Sequence, residues 1–349
     1  NDRLLDLAVE YLPYLGTSRL GPKEFKKELF KLGLSINVRT DEDRVVVGLT
    51  GLEKNLPQGI TLLEELLSNA QPNEEALKSL VDDIAKEREN AQKDKNTILQ
   101  AAMYSYARYG TTSPFNDVMP LAELQTVPSK DLIDRIHGLT AHPHKVFYYG
   151  RKSADEVAIL LNGLHKVPAT FKPVPAARNY TEQETTANTV LFVDHDMVQT
   201  EMMWVSKADG FNAELLPQAS LFNEYFGSGL SSIVFQEIRE AKALAYGASA
   251  SFSTPRKKEE AHFVRVFIGT QADKLNDAVD AMSVLMSDMP VNENQFNGAR
   301  TAAMKRIASD RITKERIYWS YDAVQRLGRT DDIRKLSYDK LPGITVNDL

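Results

Sequence analysis

The chain has 349 residues, 42% of them hydrophobic and 26% charged, with a formal net charge of −6 and no cysteine. Disulfides, thiolate catalysis and cysteine-ligated metal centres are thereby excluded, and the acidic balance opposes nucleic acid as the main partner, because phosphate binding wants a basic face. No apolar run approaches the ~18–20 residues that a membrane-spanning helix needs, while the length suffices for two domains with their own cores.

The opening residues NDRLLDLAVEYL read as an amphipathic helix with acidic positions and lack the basic start of a signal peptide. The chain begins without Met, so a piece of a longer protein is expected. Further helix patterns cover 22–32, 56–69 and 74–89, with a β-rich run from residue 44 and a helix and a strand in SKDLIDRIHGL and KVFYYG. Residues 166–187, rich in Pro, Thr and Ala and without a sustained period, predict an extended connector. One domain is therefore expected over 1–165 and a second over 188–349. The second should start with a strand pair, TVLFVDHD and EMMWVSKA, then helices over 215–226 and 275–286.

The two parts repeat each other. The stretch from Arg44 and the stretch from Phe263 align without a gap: Val45 with Val264, Val47 with Val266, Leu56 with Leu275, Leu66 with Leu285, Asn73 with Asn292 and Glu74 with Glu293. Apolar phase kept through a strand and two helices indicates an internal duplication. The fold class expected is α+β: two tandem units, each a mixed sheet with helices on one face. Each copy lacks a piece that the other has, which again predicts a longer parent chain.

The string LLPQASLFNEYFGSGLSSIVFQEIREAKALAYGASASFSTP resembles the M16 metallopeptidases, the pitrilysin and insulin-degrading enzyme group. The segment LGTSRLGPKEFKKELFKLGLSINVRTDEDRVVVGLTG is similar to the first part of the same family. The resemblance implies duplicated, ferredoxin-like α/β sandwich domains. It also implies a peptidase of two halves closing on a peptide, one half carrying an H-x-x-E-H zinc motif and a distal Glu ligand.

At the place of that motif stands Leu7-Ala8-Val9-Glu10-Tyr11. Glu10 holds the position of the general base, but Leu7 and Tyr11 replace both histidines, and leucine cannot ligate zinc. Glu87 and Glu89, near the place of the distal ligand, then have no metal to complete and read with Glu10 as solvated helix charges. The first domain is expected to be a degenerate, metal-free copy, with no cofactor in this chain. Zinc is expected in a catalytic half, on the same polypeptide or on a partner subunit.

The resemblance also implies a role for Arg239 and Tyr246. The family's zinc-free half contributes an Arg and a Tyr in such a segment. A guanidinium and a phenol near a peptide carbonyl favour the transition state, in which that oxygen becomes negative. The bland alternatives stay open here: Arg239 pairing along its helix with Glu237 or Glu240, and Tyr246 as a strand aromatic. Gly227-Ser228-Gly229 before Ser231-Ser232 reads as a helix end followed by a new N-cap, with an anion cradle as the minor alternative. His142 and His144 sit at a turn, His195 ends a strand, and His137, His165 and His262 look isolated, short of the converging ligands that zinc needs. Strands over 201–207 and 247–253 could offer an edge for peptide pairing. The alternative function is a non-peptidase assembly subunit of the same fold, of which respiratory core subunits are the family's example.

Overall fold

A computed structural model describes residues 2–41 and 43–349. The chain forms two compact units, neither contiguous in sequence. Unit 1 takes Asn1–Lys93 and Asp117–Asn179, and unit 2 takes Asp94–Asn116 and Tyr180–Leu349.

Unit 1 opens with α1 (Arg3–Tyr11), started by the Asp2 side chain accepting from Leu4 N–H at 3.1 Å. Leu7, Ala8 and Tyr11 recur on one face of α1 and pack inward, against the helix Ser129–His137 with its buried Leu132, Ile133 and Ile136. Strand β1 (Gly16–Thr17) follows, then α2 (Pro22–Lys31), where Pro at the first helical position supplies the required φ. Strands β2 (Leu34–Asp41) and β3 (Arg44–Gly51) form an antiparallel hairpin running from Leu34↔Gly51 to Asp41↔Arg44. Helix α3 (Leu56–Asn69) buries Ile60, Leu62, Leu66 and Leu67. Short β4 (Ala70–Gln71) pairs with β1, and α4 (Glu74–Ala91) starts where the Asn73 side chain accepts from Ala76 N–H at 3.1 Å.

Unit 2 is built on an antiparallel sheet of β5 (Gln199–Gly210), β6 (Gly247–Ser253) and β7 (Ala261–Gln271), in the order β5-β7-β6. Leu221, Tyr225, Phe226, Val234 and Ile238 from the helical segments meet Val266 and Ile268 of the sheet and Met282 and Phe296 from the two later helices. Burying each such side chain contributes about 1.5–3 kcal/mol. The stretch Thr97–Tyr109, a π-helix continuing as an α-helix, also belongs to this unit. Arg108 fixes it there, donating to Glu182 at 2.6 Å with its guanidinium 4.9 Å from the Phe263 ring centroid. Burial beside this pair pushes the Tyr109 phenol up to about 12.

The duplication is visible element by element. Helix α3 begins at Leu56 and its counterpart at Leu275; α4 begins at Glu74 and its counterpart Glu293–Ser309 at Glu293; a 3-10 turn precedes α3 at Glu53–Asn55 and its counterpart at Ala272–Lys274. The α+β class holds, and the strand ladders among the described residues are all antiparallel. Two expected strands do not form. Residues 189–196 and 145–150 join no ladder, and Val190 and Phe192 stand 91% and 83% exposed. Their β-branched and aromatic residues give propensity, but a strand is stabilised by pairing along a ladder, which these segments do not join. No described helix is long and apolar enough to cross a membrane.

Candidate functional site

The helix carrying Arg239 is a wide π turn, Phe235–Ala241, held to the core by fully buried Ile238. That anchor turns Arg239 outward, with its side chain 46% exposed. The guanidinium lies 4.8 Å from the Phe235 ring centroid and 3.7 Å from Glu240 Oε1. An exposed ion pair of this kind is worth little, so Glu240 leaves the guanidinium available. The helix ends at Ala241; Ala243 beyond it is a non-glycine residue with φ of 51°, after which Leu244 N–H closes the turn on Ile238 O at 3.0 Å. Left-handed backbone in a residue with a Cβ is uncommon and persists where surrounding contacts impose it.

Tyr246 follows at the start of β6 and is 51% exposed. Three consecutive residues of β7 hold it. Tyr246 N–H donates to Gly269 O at 2.8 Å, Thr270 Oγ1 donates to Leu244 O at 2.6 Å, and Gln271 Nε2 donates to the Tyr246 phenol oxygen at 2.9 Å. Arg239 and Tyr246 thus flank the Ala243 turn in sequence, both about half exposed and each held by its own neighbours. The sequence did not point to Gly269, Thr270 or Gln271, because their contact depends on the β6–β7 register, Gly247↔Gly269.

The Gly227–Ser232 loop is a helix end and a restart. Gly227 closes the preceding helix against Ala250 O, Gly229 has φ of +94°, and buried Ser232 Oγ accepts from Phe235 N–H at 3.3 Å.

Unit 1 places the zinc-motif positions differently. Leu7 is buried in the core. Tyr11 is fully buried, and its hydroxyl donates to Asn73 O at 2.8 Å and accepts from Asn73 N–H at 2.6 Å. Unit 2 uses the same device: buried Tyr225 donates to Pro290 O at 2.8 Å and accepts from Asn292 N–H at 2.9 Å. Tyr11, which the resemblance sets at the place of a metal-binding histidine, therefore anchors the start of α4, and Leu7 and Tyr11 as packed do not fit a zinc ion. Tyr11→Phe leaves Asn73 N–H without its acceptor and is expected to destabilise the chain by about 1–3 kcal/mol, read by denaturant unfolding.

Glu10 and Glu87 do come together, lining with Tyr14, Leu80, Asp83 and Ile84 a cleft of about 310 Å³. Although Glu10 is exposed on α1, partial desolvation and then the neighbouring Asp6 and Glu87 carboxylates push its carboxyl above the ordinary carboxylate range. Glu89 instead pairs with Lys93 at 2.6 Å on the surface. Because Glu10 binds its proton more tightly in the fold than in the unfolded chain, stability falls as pH rises through that window. Glu10→Gln should raise the thermal midpoint only slightly at neutral pH, since solvent screens an exposed carboxylate, and leave it unchanged in acid.

Among the described residues no group of three or more His, Cys, Asp or Glu side chains could hold a metal. His165 is nevertheless not isolated: its Nε2 faces His144 Nε2 at 2.8 Å and its Nδ1 lies 2.6 Å from Glu64 Oε1. Its partners come from a turn and from α3, too distant in sequence to pair by pattern. His262 is a core residue stacked on Phe252, with Asn212 N–H donating to its Nε2.

The comparisons with known proteins follow this division. Among curated relatives, an "Uncharacterized zinc protease" of Rickettsia bellii is 23% identical over 282 residues, 76% of this chain and 63% of the relative. The chain thus spans less than two thirds of that relative's length. A ubiquinol-cytochrome-c reductase complex core protein I of Euglena gracilis is 21% identical over 126 residues, 36% of this chain and 26% of its own. The solved structure of a peptidase M16 inactive domain from Pseudomonas fluorescens superposes with a TM-score of 0.68 at 14% identity, covering 99% of this chain and 82% of that one. The family model described as insulinase (peptidase family M16) matches residues 8–114, and the one described as peptidase M16 inactive domain matches 145–302, the region that holds Arg239 and Tyr246. With both models matched in order along most of its length, the chain belongs to the M16 peptidase family.

Proposed function

We propose that this chain is the zinc-free half of a two-half metallopeptidase, forming one wall of the peptide chamber. Its role in the chemistry is to bring Arg239 and Tyr246 to the carbonyl oxygen of the scissile bond. When water adds to that carbonyl, the oxygen becomes negative. A guanidinium N–H and a phenol O–H directed at it stabilise the charge in the transition state more than in the ground state. Zinc belongs to the other half, carried by the same polypeptide or by a partner subunit. The observation that carries the reading is the exposure of both donor residues on either side of the Ala243 turn, in a chain whose Leu7 and Tyr11 are packed as core.

Peptide is held largely through its backbone in this reading, and the β6 edge is the candidate rail. Asn223 restricts it, since its side-chain amide binds both Phe252 N–H and Phe252 O, which leaves the stretch toward Gly247 for pairing. The test is reconstitution. A zinc-bearing M16 half bearing H-x-x-E-H is assayed on a quenched peptide with and without this chain. Cleavage that needs both supports the reading, and equal cleavage without this chain refutes it.

The similarity to a respiratory core protein over part of the chain favours a second reading, an assembly subunit without peptidase chemistry. In that case the reconstituted rate is indifferent to Arg239 and Tyr246.

A further inference from the structure

The C-terminal end of β7 touches the Tyr246 segment at three points, and the third involves the phenol itself. Gly269 O takes the Tyr246 N–H, Thr270 Oγ1 holds the Leu244 carbonyl, and Gln271 Nε2 donates to the Tyr246 oxygen. The first two contacts are structural: Thr270 is fully buried, and with Gly269 it fixes where the backbone leaves the turn at Ala243. The third has a chemical consequence. A phenol carries one O–H proton and acceptor lone pairs. A carboxamide N–H directed at the oxygen occupies an acceptor position and leaves the single proton free to point elsewhere. It also restricts ring and hydroxyl to one arrangement before any ligand arrives, and pre-arranged donors are what make charge stabilisation effective.

We infer that Gln271 is a positioning residue that commits Tyr246 to act as a hydrogen-bond donor toward the substrate oxygen. The inference rests on the proposed role of Tyr246. It assigns to Gln271 no contact with substrate.

The orientation of the amide supplies the test, because the isosteric acid reverses it. In Gln271→Glu the carboxylate can only accept, so it draws the phenol proton onto itself and away from the substrate. In Gln271→Leu the phenol keeps its proton but loses its restraint. Residue 271 is exposed, so both variants should fold with the thermal midpoint of the parent.

Peptide hydrolysis is measured with this chain assembled with its zinc-bearing half. Tyr246→Phe is expected to lower kcat by about 10²–10³-fold. Gln271→Glu should lower it by about 10²-fold, and Gln271→Leu by about tenfold, both at unchanged KM. Gln271→His, which can still donate an N–H, should recover most of the rate. In a Tyr246→Phe background, Gln271→Glu should have no further effect, because the hydroxyl on which it acts is gone. A kcat for Gln271→Glu equal to that of the parent, with Tyr246→Phe impaired, would overturn the positioning role and leave the role of Tyr246 standing. A Tyr246→Phe enzyme with full kcat would overturn both. A Gln271→Glu effect that persists in the Tyr246→Phe background would show that Gln271 acts through something other than the phenol.

Discussion

Arg239→Ala in the assembled peptidase is expected to lower kcat by about 10²–10³-fold, with Tyr246→Phe close behind and little change in the stability of the chain. The stability part follows from exposure. Arg239 buries little, its Glu240 contact is a long surface pair, and the Phe235 stacking is a modest cation–π contact. Tyr246 is half exposed, and Tyr246→Phe keeps the ring and the backbone bond to Gly269. The kinetic part follows from charge. In the proposed role both groups donate to one oxygen, and the benefit exists only when that oxygen is negative, so kcat falls more than binding. The double variant should lose less than the product of the single losses, since residues acting on one atom do not add. A steady-state peptide assay separating kcat from KM checks this. A rise in KM at constant kcat would make the pair a binding contact only.

Gly227→Ala is expected to destabilise unit 2 by about 3 kcal/mol. The cause is steric and has nothing to do with φ. A Cβ at residue 227 would sit well inside van der Waals contact with the Ala250 carbonyl oxygen and then its carbon. Ala250 is buried in the centre of β6, and that strand is pinned to β7 through its whole length from Gly247↔Gly269 to Ser253↔Phe263. Neither side can retreat by rotating a side chain, so either the helix end or the strand must move. Movement of β6 carries Tyr246 with it, so the variant should lose activity at temperatures where it is still folded. Gly229→Ala, where nothing crowds a Cβ, costs only the strain of its φ of +94°. Thermal unfolding of the two variants side by side checks the assignment, and equal midpoints would contradict it.

Residue pattern reached far into this fold where local physics decides. Apolar phase gave α3 and α4 and their counterparts, and the Asn73 and Asn292 caps start their helices as their side-chain chemistry requires. That Leu7 cannot ligate zinc was readable from the sequence, because no packing makes a leucine a ligand. What Tyr11 does was not readable: its hydroxyl meets Asn73 across 62 residues. The strands expected at 145–150 and 189–196 failed for the opposite reason, since propensity is local and a ladder is not. The helical stretch over 97–109 was not singled out from the sequence, and no local pattern seats its Arg108 on Glu182 and Phe263. At the candidate site, the family resemblance of the surrounding segment brought Arg239 and Tyr246 forward, whereas Gln271 became visible only through strand register.

The central claim is that this polypeptide offers charge-stabilising donors to a metal centre that another half supplies. The most direct measurement is the zinc content and peptide-cleaving activity of the purified chain by itself, before and after incubation with zinc. The account predicts no stoichiometric zinc and no cleavage above background, with activity arising only once a zinc-bearing half is added. One zinc bound per chain together with chelator-sensitive cleavage by the chain alone would contradict it.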